Sequence, residues 1–505
     1  MGKDNAKKTS GEQSLTEIAI SSKPVHPGKI DVSSTYILIA IAIALYAWGY
    51  FLAFPLRYDE AYTFMHFIRT SMGDTGSYWN LFYYPLPNNH VLNTLMSRLS
   101  VSCFGASPPG IRFPSFFAGL CVVYCVWLFR RSEERPYWGV AGALCCALFP
   151  YFIMYGVMAR GYTLTALFTI LSFNVGRKIN QQNALKTACL VGTCEALGVL
   201  AVPIMLFSCV SVNLWISLML WLNSRNMRTV LIRFLIPVGL VGAIFTLLFY
   251  SPVIYENHGI KCLTANRFVQ SRTLAYGTLI RETGPYLMSI WREYTRSVPG
   301  VVKFIAALSV AGGVTASFRR RDWGTLAILP LAALGGMLGI VLRRDFIPSR
   351  SWIYIVPLVA ILADVGFSWA IEWLPDKFQA RVTGVLIFAG ALFAYKLTAN
   401  NELIRYSDTG QFNEAEGIVD FLREDIKAGA RIFSGCPVND PLNYALWREG
   451  LLDKAIANMR QKDSDNIKEF YIIKRTAYAL SDLTEKSSAG MKLVFIGNGF
   501  YIYST

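Results

Sequence analysis

Charge is scarce in this chain. Only 16% of its 505 residues are Asp, Glu, Lys or Arg, against 53% hydrophobic and 14% aromatic, whereas a soluble domain carries about 25% charged residues. With a mean hydropathy of +0.37, the composition excludes an ordinary soluble protein and predicts a polytopic membrane protein. No P-loop, zinc-finger or RNA-binding pattern is present, which removes the nucleotide and nucleic-acid readings of a formal net charge of +15. In a membrane protein that charge first reads as cytoplasmic anchoring. No Cys/His cluster has ligand spacing, so no metal or other cofactor is expected. There is no Asn-x-Ser/Thr sequon and no internal repeat.

What is there is a series of apolar stretches. Eleven are long enough to read as spans: about 36–56, 112–129, 137–155, 161–176, 186–203, 204–222, 230–250, 299–318, 323–342, 351–371 and 382–397. The shorter stretch 91–104, interrupted by Arg98, reads as a helix along the interface. With that assignment Arg130-Arg131, Arg177-Lys178, Arg225/Arg228 and Arg319-Arg320-Arg321 all fall on one side, as the positive-inside rule requires. Residues 1–35 then form a cytoplasmic tail, too long and too charged for a secretory leader, and the C-terminus is external. The soluble stretch 398–505 predicts a small α/β domain, with a helix near 412–427, a strand at Arg431-Ile432-Phe433, and a hairpin of Lys492–Ile496 and Phe500–Tyr503 around Asn498-Gly499. Eight of the ten cysteines lie in or beside apolar spans, where they act as small hydrophobes. Cys262 and Cys436 lie outside and read as two free thiols rather than a disulfide.

Three outward segments remain: 57–111, 251–298 and 343–351. In and beside them stand fourteen cations, Arg57, Arg69, Arg98, Arg112, Arg160, Lys261, Arg267, Arg272, Arg281, Arg292, Arg296, Arg343, Arg344 and Arg350. They face seven acids, Asp59, Glu60, Asp74, Glu256, Glu282, Glu293 and Asp345. Outer loops are normally poor in Lys and Arg, so the excess asks for an anionic partner. Guanidinium groups fit phosphate bidentately, and a lipid phosphate or pyrophosphate is the natural candidate. The bland alternative is contact with lipid headgroups or with the seven acids.

Arg57-Tyr58-Asp59-Glu60 follows the first apolar stretch directly. A carboxylate at headgroup depth is expensive unless solvated or functional, and it is the usual base for taking a proton from an attacking hydroxyl. Asp59 is the candidate. Glu60 points elsewhere on a helical turn, to orient a neighbour or hold an acceptor hydroxyl; the bland reading of the pair is a helix cap. Asn89 and His90 open the interfacial helix within the polar run Tyr84–His90, as substrate contacts or as caps. Arg160, in Ala159-Arg160-Gly161-Tyr162, would need an anion if buried, and Arg350 occupies a similar mouth before Ser351-Trp352.

At these residues the chain resembles the GT-C membrane glycosyltransferases, nearest the protein O-mannosyltransferase and lipid A aminoarabinose transferase group. The resemblance rests on Tyr58-Asp59-Glu60-Ala61, Asn89-His90-Val91-Leu92, Gly105 with Gly110-Ile111-Arg112-Phe113-Pro114-Ser115, and Tyr155 with Ala159-Arg160-Gly161-Tyr162. It covers about residues 36–180 well and 340–400 weakly. It implies a membrane all-α fold of GT-C type and a polyprenyl-phosphate sugar donor. It also implies inversion at the anomeric carbon, with Asp59 as catalytic base and Glu60 beside it. Arg57, Arg160, Arg350, Arg267 and Arg272 are then the candidates for the donor phosphate, and Tyr58, Asn89, His90 and Tyr162 for substrate. The acceptor would be a hydroxyl of a lipid, glycan or protein, in a bacterial plasma membrane. Two positions depart from the family pattern: Met158 stands where an acid often precedes the Arg-x-Tyr motif, and Val91 replaces the proline after the histidine. Two rivals remain open, a flippase of a lipid-linked sugar and an oligosaccharide ligase using a pyrophosphate donor.

Overall fold

The structure, a computed structural model, describes residues 32–69, 81–82, 89–131, 135, 137–259, 274–406, 414–460, 468–474, 492–497 and 500–504. Arg267, Arg272, Cys262, residues 84–88 and the Asn498-Gly499 turn lie outside them. In chain order the first helices are α1 (Val32–Leu52), α2 (Tyr58–Thr63, continued by a π turn over Phe64–Ile68), α3 (Val91–Phe104) and α4 (Pro108–Arg130). Then come α5 (Val140–Leu148), α6 (Pro150–Gly156), α7 (Tyr162–Gly176), α8 (Ala184–Ala201) and α9 (Met205–Ser224). The continuous helix α10 (Met227–Glu256) is followed by α11 (Tyr276–Tyr294), α12 (Gly300–Arg319), α13 (Trp323–Arg343), α14 (Ile355–Ile371) and α15 (Asp376–Ala399).

Among the described residues eight of these, α1, α4, α8, α9, α10, α12, α13 and α15, are long and apolar enough to cross a membrane. The other three expected spans are shorter or broken. The 137–155 stretch divides into α5 and α6 at Phe149-Pro150, where proline removes a helical hydrogen bond. At 1.5 Å per residue, α7 and α14 reach only about 22 and 25 Å, short of a hydrocarbon core of roughly 30 Å. All of α6 and most of α14 are buried, so the surrounding helices rather than lipid cover them. The tightest crossing joins α12 to α14, where a Cβ on Gly366 would fall 1.7 Å from the Ser309 carbonyl oxygen. Only glycine permits that approach.

Helix α3 is inverted relative to a soluble helix. Its buried side carries Asn93, Thr94, Ser97 and Ser100, and its exposed side Leu95, Leu99 and Phe104. Ser97 and Ser100 donate to carbonyls of Ile111 and Gly110 on α4, so the polar groups are satisfied inside while apolar groups face outward.

The C-terminal part contains α16 (Ala415–Lys427), β1 (Arg431–Ser434), α17 (Asn439–Arg448), α18 (Leu452–Arg460), β2 (Glu469–Lys474), β3 (Lys492–Gly497) and β4 (Phe500–Ser504). The sheet order is β1-β2-β4-β3, with β1 and β2 parallel and the other pairs antiparallel. Its core joins Ile418, Leu422 and Ile426 to Leu442, Leu446, Phe470, Ile472 and Ile502. One face of α17 packs onto the element that follows α1. The rings of Tyr444 and Trp447 lie 5.1 and 4.9 Å from Phe64, and Tyr444 Oη donates to the Ala106 carbonyl at 2.9 Å.

Candidate functional site

The chain leaves α1 through Phe54-Pro55-Leu56 and turns into α2, a single short helix that needs outside support. Arg112, on the second turn of α4, supplies it. Its Nη1 donates to the Leu52 and Phe54 carbonyls at 2.9 and 2.6 Å, and its Nη2 to Pro55 at 2.9 Å. Nε and Nη2 then grip Glu60 at 2.8 and 2.7 Å. All five guanidinium N–H groups are thereby used. Glu60, 0% exposed, also accepts from the Arg57 amide at 3.0 Å and the Ala159 amide at 2.8 Å. Burial alone would raise its carboxyl; Arg112 and the two amides outweigh that and hold it below its ordinary value.

Glu60 therefore does not open to the site as a second reactive carboxylate. It fixes the start of α2 and the loop before Arg160. Arg57 likewise turns from Asp59: its Nη2 donates to the Leu403 carbonyl at 3.1 Å, and its Nη1 lies 3.6 Å from Met158 Sδ. Asn89 is buried and spends its amide on the Leu81 carbonyl and its carbonyl on Thr94 Oγ1, inside the protein and on no helix N–H.

Asp59 faces the other way. Its carboxylate lies 3.6 Å from Arg160 Nη2, with side-chain exposures of 19% and 4% respectively. Arg160 precedes Gly161, whose N–H donates to His90 Nδ1 at 2.8 Å. A Cβ at 161 would stand 2.5 Å from the Ala201 carbonyl oxygen, so the loop is pressed against α8 and glycine is required there. Accepting at Nδ1 leaves the His90 proton on Nε2. Burial, then the positive charges of Arg160 and Arg350, push the imidazole well below its usual value and keep it neutral. Tyr162 packs edge-on to His90 at 5.1 Å and to Tyr155 at 4.9 Å.

Arg350 is carried by a 3-10 turn, Ser349–Trp352, that α11 clasps. Tyr286 Oη donates to the Ile347 carbonyl at 2.6 Å and Tyr294 Oη to the Ser349 carbonyl at 2.8 Å. The structure thus brings together Asp59, Arg160, His90 and Tyr162, with Arg350 acting on the same histidine. A partly open carboxylate beside the Arg160 guanidinium, near a neutral imidazole on which Arg350 also acts, can bind an anion and still offer a base.

Tyr58 leads elsewhere, into the C-terminal part. Burial first, then a hydrogen bond and charge effects from Cys436 and the charges of Asp440 and Asp59, push its phenol upward and hold it protonated. Asp440, 2% exposed, pairs with His66 at 3.2 Å. Sequence reasoning missed this seam between α2 and α17, and it missed Glu195. Midway along α8, Glu195 is buried and accepts from Asn213 Nδ2 at 2.9 Å. A carboxyl within an otherwise apolar stretch is the signal that was available.

The architecture is the GT-C membrane fold: a multi-pass helical body, a short carboxylate-bearing helix after the first span, and a small α/β part at the C-terminus. Two solved structures of ArnT from Cupriavidus metallidurans share it. The apo state is 13% identical with a TM-score of 0.54, covering 94% of this chain and 98% of that one. The form bound to undecaprenyl phosphate is 13% identical with a TM-score of 0.53, covering 93% and 98%. Arabinofuranosyltransferase AftD from mycobacteria is similar at 14% identity and a TM-score of 0.47, covering 94% of this chain and 40% of that one. No protein-family model matches the sequence, and no curated protein matches it.

Proposed function

We propose that this protein is an inverting glycosyltransferase that moves a sugar from a polyprenyl monophosphate to an acceptor hydroxyl at the external face of a bacterial plasma membrane. The observation that carries the reading is the Asp59–Arg160 pair: a buried guanidinium whose carboxylate partner is partly open and held beyond hydrogen-bond distance. A protein of the same fold holds undecaprenyl phosphate, which supports a polyprenyl-phosphate donor here.

The donor phosphate would lie between Arg160 and Arg350, with the Nε2–H of His90 as a neutral donor to it. Fixed donors aimed at a departing phosphate stabilise the charge that develops as the anomeric C–O bond breaks. Phosphate neutralisation of Arg160 frees Asp59 to accept the proton of the acceptor hydroxyl, whose oxygen forms the new bond at the opposite face of the sugar. Polyprenyl phosphate leaves, and the proton passes from Asp59 to solvent. Phosphate needs no general acid, so one carboxylate suffices. Met158, a buried thioether against Arg57, offers no carboxylate where the family often has one, so the reaction is expected to proceed without a metal.

The test is transfer by the purified full-length protein from a synthetic polyprenyl-phosphate monosaccharide, read by mass spectrometry of both products. Release of polyprenyl phosphate in detergent, undiminished by a chelator, is expected. A protein that binds this donor but never releases its sugar would overturn the reading in favour of transport.

A further inference from the structure

The opposite end of α4 carries a second cationic site that glycosyl transfer does not use. Eighteen residues separate Arg112 from Arg130, about 27 Å along the helix, so the site stands at the far face of the helical body. There three guanidiniums converge on one indole: those of Arg130, Arg135 and Arg320 lie 4.8, 5.6 and 5.8 Å from the ring of Trp138. Arg130 is held by the buried Asp364 at 3.4 Å, while Arg135 and Arg320 share the single carboxylate of Glu372, Arg135 at 3.2 Å.

Three like charges around one ring repel, and two carboxylates leave the set positive. The balance stays positive when the sequence neighbours are added. Arg130, Arg131, Arg135 and Arg319-Arg320-Arg321 make six cations, against Glu133, Glu134, Asp322, Asp364 and Glu372 as five anions. The Arg135 and Arg320 side chains are 39% and 37% exposed, within reach of a ligand. Gathered around one ring, the guanidiniums lie close enough together for more than one to meet the same tetrahedral oxyanion, which guanidinium groups bind bidentately. Exposed Phe318, Trp323 and Trp373 flank the cluster, the aromatic belt of a membrane–water boundary. The level is that of lipid headgroups.

We propose that this cluster is a binding site for the phosphate headgroup of an anionic phospholipid in the leaflet opposite the Asp59 site, gripped by Arg135 and Arg320 against Trp138. Cationic pockets between spanning helices take such headgroups. The inference is independent of the glycosyl-transfer reading, because none of its residues approaches Asp59, Arg160 or His90.

Full-length protein in detergent would be given equal amounts of phosphatidylglycerol and phosphatidylcholine and its retained lipids counted by native mass spectrometry. Wild type is expected to retain phosphatidylglycerol preferentially, and R135Q/R320Q to lose roughly thirtyfold in that preference. Equal retention of both lipids by wild type, or an unchanged preference in the variant, overturns the proposal. If the glutamine pair fails to fold, R135K/R320K is read instead. It keeps the charge but loses the paired N–H edges, so a several-fold drop supports the site and an unchanged preference overturns it. Displacement of the lipid by millimolar inorganic phosphate would show a free-anion site and overturn the lipid assignment.

Discussion

Asp59 and Glu60 are neighbours in sequence and opposites in environment. Glu60 has no exposed surface, both oxygens on Arg112, and two backbone amides besides. Asp59 keeps 19% of its side chain exposed and meets Arg160 only as a charge pair at 3.6 Å. A helical step of about 100° is enough to separate them, with one turned into the bundle and the other along the mouth of Arg160. On the proposed mechanism, one short helix carries both a structural acid and a reactive one. A carboxylate with every partner in place resists change, whereas one whose partner can be claimed by an incoming phosphate can work.

The sharpest way to break this contrast is Asp59→Asn. It removes a base and leaves Arg160 a neutral neighbour, so transfer should fall by about 10²–10⁴-fold, the range for a general base. The unfolding temperature should stay within a few degrees. Wild-type turnover in this variant would remove Asp59 from the chemistry. Glu60→Gln is the mirror experiment. Removing one member of a buried pair typically costs about 3–5 kcal/mol, because Arg112 would be left buried without its counter-charge. Its signature is a large drop in unfolding temperature with near-normal turnover per folded molecule. A Glu60→Gln protein as stable as wild type yet inactive would reverse the assignment of the two acids.

The third member of the site can be tested by pH. The His90 imidazole is pushed below its usual value, so the folded protein favours the neutral ring while the unfolded chain takes up a proton near pH 6.5. The stability this lends is therefore fully present above about pH 6.5 and is lost as pH falls toward the folded value. Unfolding temperature measured from pH 8 to 5 should decline more steeply in wild type than in His90→Gln. Parallel curves would mean that burial and the charges of Arg160 and Arg350 do not hold the ring neutral.

Much of this architecture was legible in the sequence because it depends on local pattern. Apolar length marked eight helices long enough to span, and a turn between two apolar runs marked β3 and β4. Asp59 stood out through its distance from α1, and Arg160 through its place between two apolar runs. What was not legible is who satisfies whom. Arg112 and Glu60 lie 52 residues apart, and nothing local says that one arginine of the fourteen outward cations is wholly occupied by the end of α1 and by Glu60. Asp364 was not singled out at all, yet its carboxylate accepts from the Gly139 and Gly142 amides at the start of α5. The docking of α17 on α2 needed a folded C-terminal part, since nothing local marks Tyr444 and Trp447 as a contact face.

That docking sets the limit of the contrast between the two acids, because Asp440 acts on Tyr58, the sequence neighbour of Asp59. The smallest expected effect tests it. His66 is about half exposed whereas Asp440 is buried, and a polar contact with one exposed member contributes about 0–1 kcal/mol. His66→Gln should therefore shift the unfolding temperature by a few degrees at most and leave turnover within about threefold. Asp440 has a second partner in Asn439 Nδ2 at 3.0 Å, so the carboxylate keeps its seat when His66 is replaced. A tenfold loss of transfer in His66→Gln, at unchanged stability, would mean that the seam with α17 orients Asp59 through Tyr58. The reactive carboxylate would then depend on the C-terminal part much as Glu60 depends on Arg112.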